Sequence, residues 1–243
     1  MDVRVVAPAD FDSIGADVVA SALVRAERVD ATLMPALGSS ALEIYAELGA
    51  RRAAGSFDTS RLRLIQLDEY VVEEADPRTL IGWLRRDVAA PLGIPEERIV
   101  RLDGSVADAA AACAAYDAAV AAAGGIDVAV LGLGPNGHLG FNEPPSASNA
   151  ATRRVDLTPA SLVSNRRYWG IDCPPSALTA GMPTILAARF ALLVVRGASK
   201  REILRAMLEG AVSADLPASY LREHPHALLL ADTDAWPFEG RPS

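Results

Sequence analysis

The chain is poor in the residues that mark several large protein classes. Only two of its 243 residues are cysteine, Cys113 and Cys173, and they lie far apart with no metal-ligand spacing. A disulfide between them is the lesser reading, and two reduced thiols are the expected state. With three histidines in all, the sequence shows no ligand cluster for a metal. Basic residues are outnumbered, 23 Lys and Arg against 31 Asp and Glu, for a formal net charge of −8. Without a basic patch the phosphate backbone of a nucleic acid is a poor partner. A small anion is still admissible, because a few positioned cations outweigh distant net charge. No apolar run approaches the ~20 residues of a membrane span. The start, Met1-Asp2-Val3-Arg4-Val5-Val6, lacks the basic segment and apolar run of a signal peptide. The expectation is a cytoplasmic protein with no nucleic-acid and no membrane partner.

What is present is a globular composition, 51% hydrophobic and 22% charged, so the chain is able to bury a large core. Short apolar runs alternate with longer, alanine-rich amphipathic segments, the pattern of parallel βα units. Val3–Val6, Ala31–Met34, Leu62–Leu67, Ile126–Leu131, Phe190–Val195 and Ala227–Leu230 read as strands. Ser13–Glu27, Ser40–Ala54, Arg78–Ala89, Val106–Ala123 and Lys200–Glu209 read as helices, the last with Ser199 and Glu202 as a capping box. No internal repeat or linker interrupts them. The expected fold is α/β, a single domain over residues 1–243. It is a three-layer αβα sandwich, modified Rossmann-like, with helices on both faces of a mostly parallel sheet. In that architecture ligands bind beyond the carboxyl ends of the strands.

Several strand ends carry residues suited to chemistry. The apolar run Leu62–Leu67 leads into Asp68-Glu69. Neighbours on an extended chain point to opposite sides, so one of the two faces a cleft, where a buried carboxylate is tunable as a general base. The same segment also reads as a solvated acidic turn leading to Glu73-Glu74. After Ile126–Leu131 comes Gly132-Leu133-Gly134-Pro135-Asn136-Gly137-His138-Leu139-Gly140-Phe141-Asn142-Glu143-Pro144-Pro145. Its glycines let the backbone approach a ligand, and His138 with Glu143 makes an acid/base couple; a structural loop is the plainer reading. Gly132-x-Gly134-x-x-Gly137 matches the dinucleotide fingerprint literally, but the glycine and prolines that follow leave no helix to open at Gly137.

Three further segments suit an anion. Gly197-Ala198-Ser199-Lys200 sets backbone N–H groups and a lysine at a helix start, where a cation otherwise opposes the dipole. Ser164-Asn165-Arg166-Arg167-Tyr168-Trp169 pairs arginines among aromatics, and guanidinium forks fit phosphate oxygens. Met34-Pro35-Ala36-Leu37-Gly38-Ser39-Ser40 brings amides to the end of a strand. Each has its ordinary counterpart: a surface lysine, a salt-bridged turn, a strand-to-helix turn.

Taken together and in this order, these segments resemble the glucosamine-6-phosphate deaminase family, whose fold is shared with 6-phosphogluconolactonases. The resemblance covers nearly the whole chain and is most specific over Asn136-Gly137-His138-Leu139-Gly140-Phe141-Asn142-Glu143-Pro144. It implies a small sugar-phosphate substrate, an amino-sugar 6-phosphate, and neither metal nor organic cofactor. It implies catalytic roles for Asp68, Asn136, His138 and Glu143, with Gly38, Ser39, Ser40, Gly137, Arg167 and Lys200 around substrate and phosphate. A homo-oligomer is compatible with it. A lactonase, a galactosamine-6-phosphate isomerase or a non-catalytic sugar-phosphate sensor are the alternatives. Two departures stand out. The family's phosphate loop typically reads Thr-Gly-Gly-Thr/Ser-Pro, and here it is Ala36-Leu37-Gly38-Ser39-Ser40. Asn136 occupies a position where many members carry aspartate, which leaves Glu143 as the carboxylate beside His138.

Overall fold

Each apolar run does become a strand, with ends shifted by a few residues. The structure, a computed structural model, describes residues 1–240. The chain runs through β1 (Asp2–Val6), α1 (Phe11–Arg25), β2 (Thr32–Pro35), α2 (Leu42–Ala53), β3 (Arg63–Ile65) and β4 (Asp68–Tyr70). Next come α3 (Leu80–Leu84), a π-helical turn (Arg85–Ala89), α4 (Ala90–Leu92), β5 (Ile99–Val100), α5 (Ala109–Ala122) and β6 (Val128–Gly132). It ends with β7 (Arg153–Asp156), α6 (Pro159–Trp169), β8 (Ser176–Thr179), α7 (Met182–Leu186), β9 (Phe190–Val195), α8 (Arg201–Glu209) and β10 (Ala227–Asp232).

Seven strands form one sheet in the order β1-β10-β9-β6-β2-β3-β5, and every pairing in it is parallel. Such a sheet is covered on both sides, which is why its strands read as nearly unbroken apolar runs. Alternate residues feed two cores. Ala129, Leu131, Leu193 and Leu229 pack with Tyr116 of α5, Ile185 of α7 and Met207 of α8. Val128, Val130, Leu192 and Leu230 pack with Val19 of α1, Leu48 of α2 and Leu84 of α3. Each fully buried Val, Leu, Ile or Met side chain among them contributes about 1.5–3 kcal/mol. The chain leaves β2 toward β3 and β5, then returns to β6 and proceeds the opposite way to β9 and β10. The switch point between β2 and β6 is where a sheet of this kind opens a crevice at its carboxyl edge.

A second, three-stranded antiparallel sheet, β4-β8-β7, was not legible in the pattern. Its strands are three or four residues long and mixed in polarity. The run through Leu67 therefore splits: β3 stops at Ile65, and at Asp68 the chain joins the other sheet. The capping box at Ser199 does not form. Ser199 lies in a 3₁₀ turn (Ala198–Lys200), and Lys200 takes the N-cap position of α8 with no side-chain cap. Both cysteines are free thiols.

Candidate active site

A cleft opens above the switch point. It is lined by Gly38–Ser40 after β2, Asp68 at the start of β4, Gly132–Pro135 and His138 after β6, Arg167 on α6, and Lys200 after β9. These segments are distant in sequence and meet because parallel strands deliver their carboxyl ends to one edge.

Asp68 and Glu69 part company as adjacent residues of a strand do. Asp68 lines the cleft, 7% exposed, and among the described residues its carboxylate receives no hydrogen bond. Burial, with a smaller push from the Glu69 charge, raises its carboxyl to about 8. Glu69 turns away to accept N–H groups from the start of α3.

The other corner is built on the loop after β6. His138 turns Nδ1 toward Glu143 Oε2 at 3.3 Å and Ser161 Oγ at 3.2 Å. Among the described residues its Nε2 has no protein partner, and the ring lines the cleft. Gly134 has to be glycine here, since a Cβ would run into that ring. The same Glu143 oxygen accepts Asn136 Nδ2 at 2.6 Å and Thr158 Oγ1 at 3.1 Å. Burial pushes Glu143 upward, yet these donors and the His138 ring prevail and hold it at about 2. From behind, Arg153 donates to Asn142 Oδ1 at 2.8 Å and to Ser146 Oγ at 2.8 Å, and Ser146 in turn donates to the Glu143 carbonyl. Thr179, the β8 residue paired with Asp68, receives the Phe141 amide. It ties the two corners together.

The cation side is Lys200 and Arg167. Lys200 is half-buried and donates to the Leu133 carbonyl at 2.6 Å. Burial first, then the nearby Arg167 charge, lower its ammonium to about 8. Two cations close enough to disfavour each other, with the amides of Gly38–Ser40 on the same cleft, form a site that an anion would relieve. The Ser39 amide is spoken for in part, donating to Tyr168 Oη at 3.2 Å. Among the described residues no group of three or more His, Cys, Asp or Glu side chains is placed to hold a metal ion.

Of the residues singled out in the sequence, Asp68, His138, Gly38, Ser39, Ser40, Arg167 and Lys200 line the cleft, and Glu143 and Asn136 stand directly behind His138. Gly137 lies outside the cleft lining, buried at φ +82° under the Leu216 side chain, where it shapes the turn. Asn136 meets the pair through Glu143: its amide donates to that carboxylate, and among the described residues it makes no bond to the imidazole.

Sequence reasoning missed Thr158 and Ser161, which bond into the His138–Glu143 pair from the start of α6. Thr158-Pro159 is an N-cap followed by proline at the first helical position, a start signal that would have found this helix. It also missed the aromatic wall of Tyr70, Trp83, Phe141 and Tyr168. These residues come from four separate segments with no shared period.

The fold and the cleft define a class: an α/β acid–base enzyme for a small anionic substrate, with oppositely tuned carboxylates beside an anion cradle. A family model described as glucosamine-6-phosphate isomerases/6-phosphogluconolactonase matches residues 11–230. The chain belongs to that family. It is 40% identical over 227 residues to a glucosamine-6-phosphate deaminase of Streptomyces coelicolor, covering 91% of this chain and 87% of the relative. It is 40% identical over 232 residues to that of Mycolicibacterium smegmatis, covering 94% and 88%. A solved monomeric glucosamine-6-phosphate deaminase superposes with a TM-score of 0.91 at 31% identity, covering 97% of this chain and 98% of that one. The 6-phosphogluconolactonase of Thermotoga maritima superposes at 0.77 with 18% identity, covering 96% and 99%, and shares the fold.

Proposed function

We propose that this chain converts a 2-amino-2-deoxyhexose 6-phosphate, glucosamine 6-phosphate first among them, and water into the ketose 6-phosphate and ammonia. Lys200, Arg167 and the amides of Gly38–Ser40 hold the phosphate, which fixes the sugar carbons against Asp68. His138, its Nδ1 held by Glu143, moves a proton at the ring oxygen through Nε2 and opens the pyranose. Asp68 takes the proton from C2 and returns it at C1. The enolamine between these transfers becomes a C2 imine, which water hydrolyses to the ketone with release of ammonia. Asn136 keeps Glu143 in place as acceptor. The chain acts as one domain, with both sheets contributing to one site, and works in the cytoplasm, where phosphorylated sugars are retained by their charge.

The observation that carries this reading is the buried, hydrogen-bond-starved Asp68 on the same cleft as the His138–Glu143 pair. Ring opening needs an acid/base pair alone; a second, stronger base suits removal of a carbon-bound proton. The test is to incubate purified protein with hexosamine 6-phosphates and 6-phosphogluconolactone and assay ammonia, ketose and acid. Ammonia and ketose from at least one hexosamine 6-phosphate are expected. Turnover of the lactone alone would overturn the reading in favour of a lactonase.

A further inference from the structure

Glu69 is buried at 3% exposure, one residue from Asp68, and plays no part in the mechanism above. Its carboxylate is surrounded by N–H donors. Tyr70 N and Leu80 N reach Oε1 at 2.8 and 2.6 Å, and Ile81 N and Gln66 Nε2 reach Oε2 at 2.7 and 2.9 Å. A neutral carboxyl would have to turn an O–H against one of these N–H groups, with no acceptor for it. Burial is the largest influence and leaves Glu69 raised from the ordinary carboxylate value, while the four N–H groups oppose that push and favour the anion. Gln66 completes the frame: its Nε2 also holds the Asp68 carbonyl at 2.9 Å, and its Oε1 accepts the Leu102 amide at 3.0 Å. Gly104 lets that neighbouring loop lie against this corner, where a Cβ would strike the Tyr70 carbonyl.

We infer that Glu69 is a positioning residue with two linked effects: a buried, N–H-bound anion that makes its neighbour Asp68 a stronger base, and the anchor that seats Leu80 and Trp83 in the cleft wall. The inference rests on reading Asp68 as the base of the proposed reaction. Other ionisable groups face the same corner: Tyr70 on its own strand and Tyr116 from α5 are pushed upward in part by the Asp68 charge, and His138, Arg167 and Lys200 line the same cleft. The charge of Glu69 is the one next to it that no ion pair among the described residues neutralises, since Arg85, the cation whose field it joins, is bridged to Glu96. Asp68 therefore has to ionise beside an existing charge.

The experiment is a ¹³C titration of the side-chain carboxyls in the ligand-free protein, with Asp68 and Glu69 assigned in the wild type through correlations from their own backbone amides. In the wild type Glu69 should ionise at lower pH than Asp68; the reverse order overturns the inference even if no variant folds. In Glu69→Gln the Asp68 midpoint should fall by about one pH unit, the scale on which a neighbouring charge acts. The acid limb of kcat/KM should follow it downward. Glu69→Asp keeps the charge but shortens the reach, so the midpoint should stay while Tm drops. A merely structural Glu69 would lower Tm in both variants and leave the midpoint in place, and that result overturns the inference. If the ammonia assay fails while the midpoint shifts, the proposed reaction is wrong and the inference about Asp68 acidity stands.

Discussion

Asp68 and Glu143 are two carboxylates serving one cleft, almost equally hidden from solvent, and their surroundings drive them apart. Asp68 meets burial with no donor to its carboxylate and an anion next door, and rises to about 8. Glu143 meets burial with Asn136, Thr158 and a histidine ring on one oxygen, and falls to about 2. Burial pushes both carboxyl groups upward; the count of donors and the sign of the neighbours decide whether that push prevails. The separation also divides the labour. A weakly acidic carboxyl is a strong base once ionised, whereas a permanently charged one orients an imidazole.

The sharpest way to break this contrast is at Asp68. Asp68→Asn should abolish exchange of the C2 proton with solvent and lower turnover by roughly 10²–10⁴, with binding largely intact. It should also change how stability depends on pH. The folded carboxyl titrates at about 8, far above the unfolded value of about 3.9, so between these the folded protein binds more protons. Wild-type stability therefore falls as pH rises through that window, by linkage. Asp68→Asn, which cannot ionise, should lose that decline, and thermal melts at pH 5 and pH 9 will read it. Unchanged turnover would return Asp68 to an ordinary acidic residue.

The same contrast exists among the cations, and its effect is smaller. Lys200 is half-buried and held by a carbonyl, while Arg167 is exposed and stacks on the Tyr168 ring at 4.6 Å. A lost charged hydrogen bond is worth roughly 1.5–3 kcal/mol, about ten- to a hundredfold. Lys200→Ala should reach the upper part of that range and Arg167→Ala the lower, where solvent screens the charge. Both losses should be measured by calorimetry on the phosphorylated sugar and its unphosphorylated analogue. Equal losses on both ligands would place these cations away from the phosphate.

The smallest effect is expected at Asn136. Asn136→Asp replaces a 2.6 Å donor to Glu143 with a second carboxylate. Glu143 should then be easier to protonate. Its folded pKa, at about 2, lies below the unfolded value of about 4.3. Its stabilising contribution is therefore present above that unfolded value and is lost as pH falls through the folded one. In Asn136→Asp that contribution should shrink and be fully lost at a higher pH, moving the acid-unfolding midpoint upward, with less than a tenfold fall in kcat/KM. If the midpoint does not move, Asn136 only shapes the loop.

Much of this was legible without coordinates. The apolar runs and amphipathic segments specified a parallel sheet covered on both faces, because strands buried on both sides have to be apolar throughout. The loop from Asn136 to Glu143 and the residues at the ends of β2, β6 and β9 pointed to one crevice, because a parallel sheet delivers those ends to a single edge. The small antiparallel sheet was invisible, since strands as short as Asp68–Tyr70 draw their order from a partner such as Ser176–Thr179 and not from any period of their own. The surroundings of each carboxyl group were equally out of reach. Asp68 and Glu69 are adjacent in sequence and both buried, yet one faces a cleft without donors and the other faces four N–H groups. Three of those four arrive from residues three to twelve positions away on other segments. Residue type and order determined which groups would gather at the edge of the sheet; only packing decided which of them would be left without hydrogen-bond donors, and so which could act as the base.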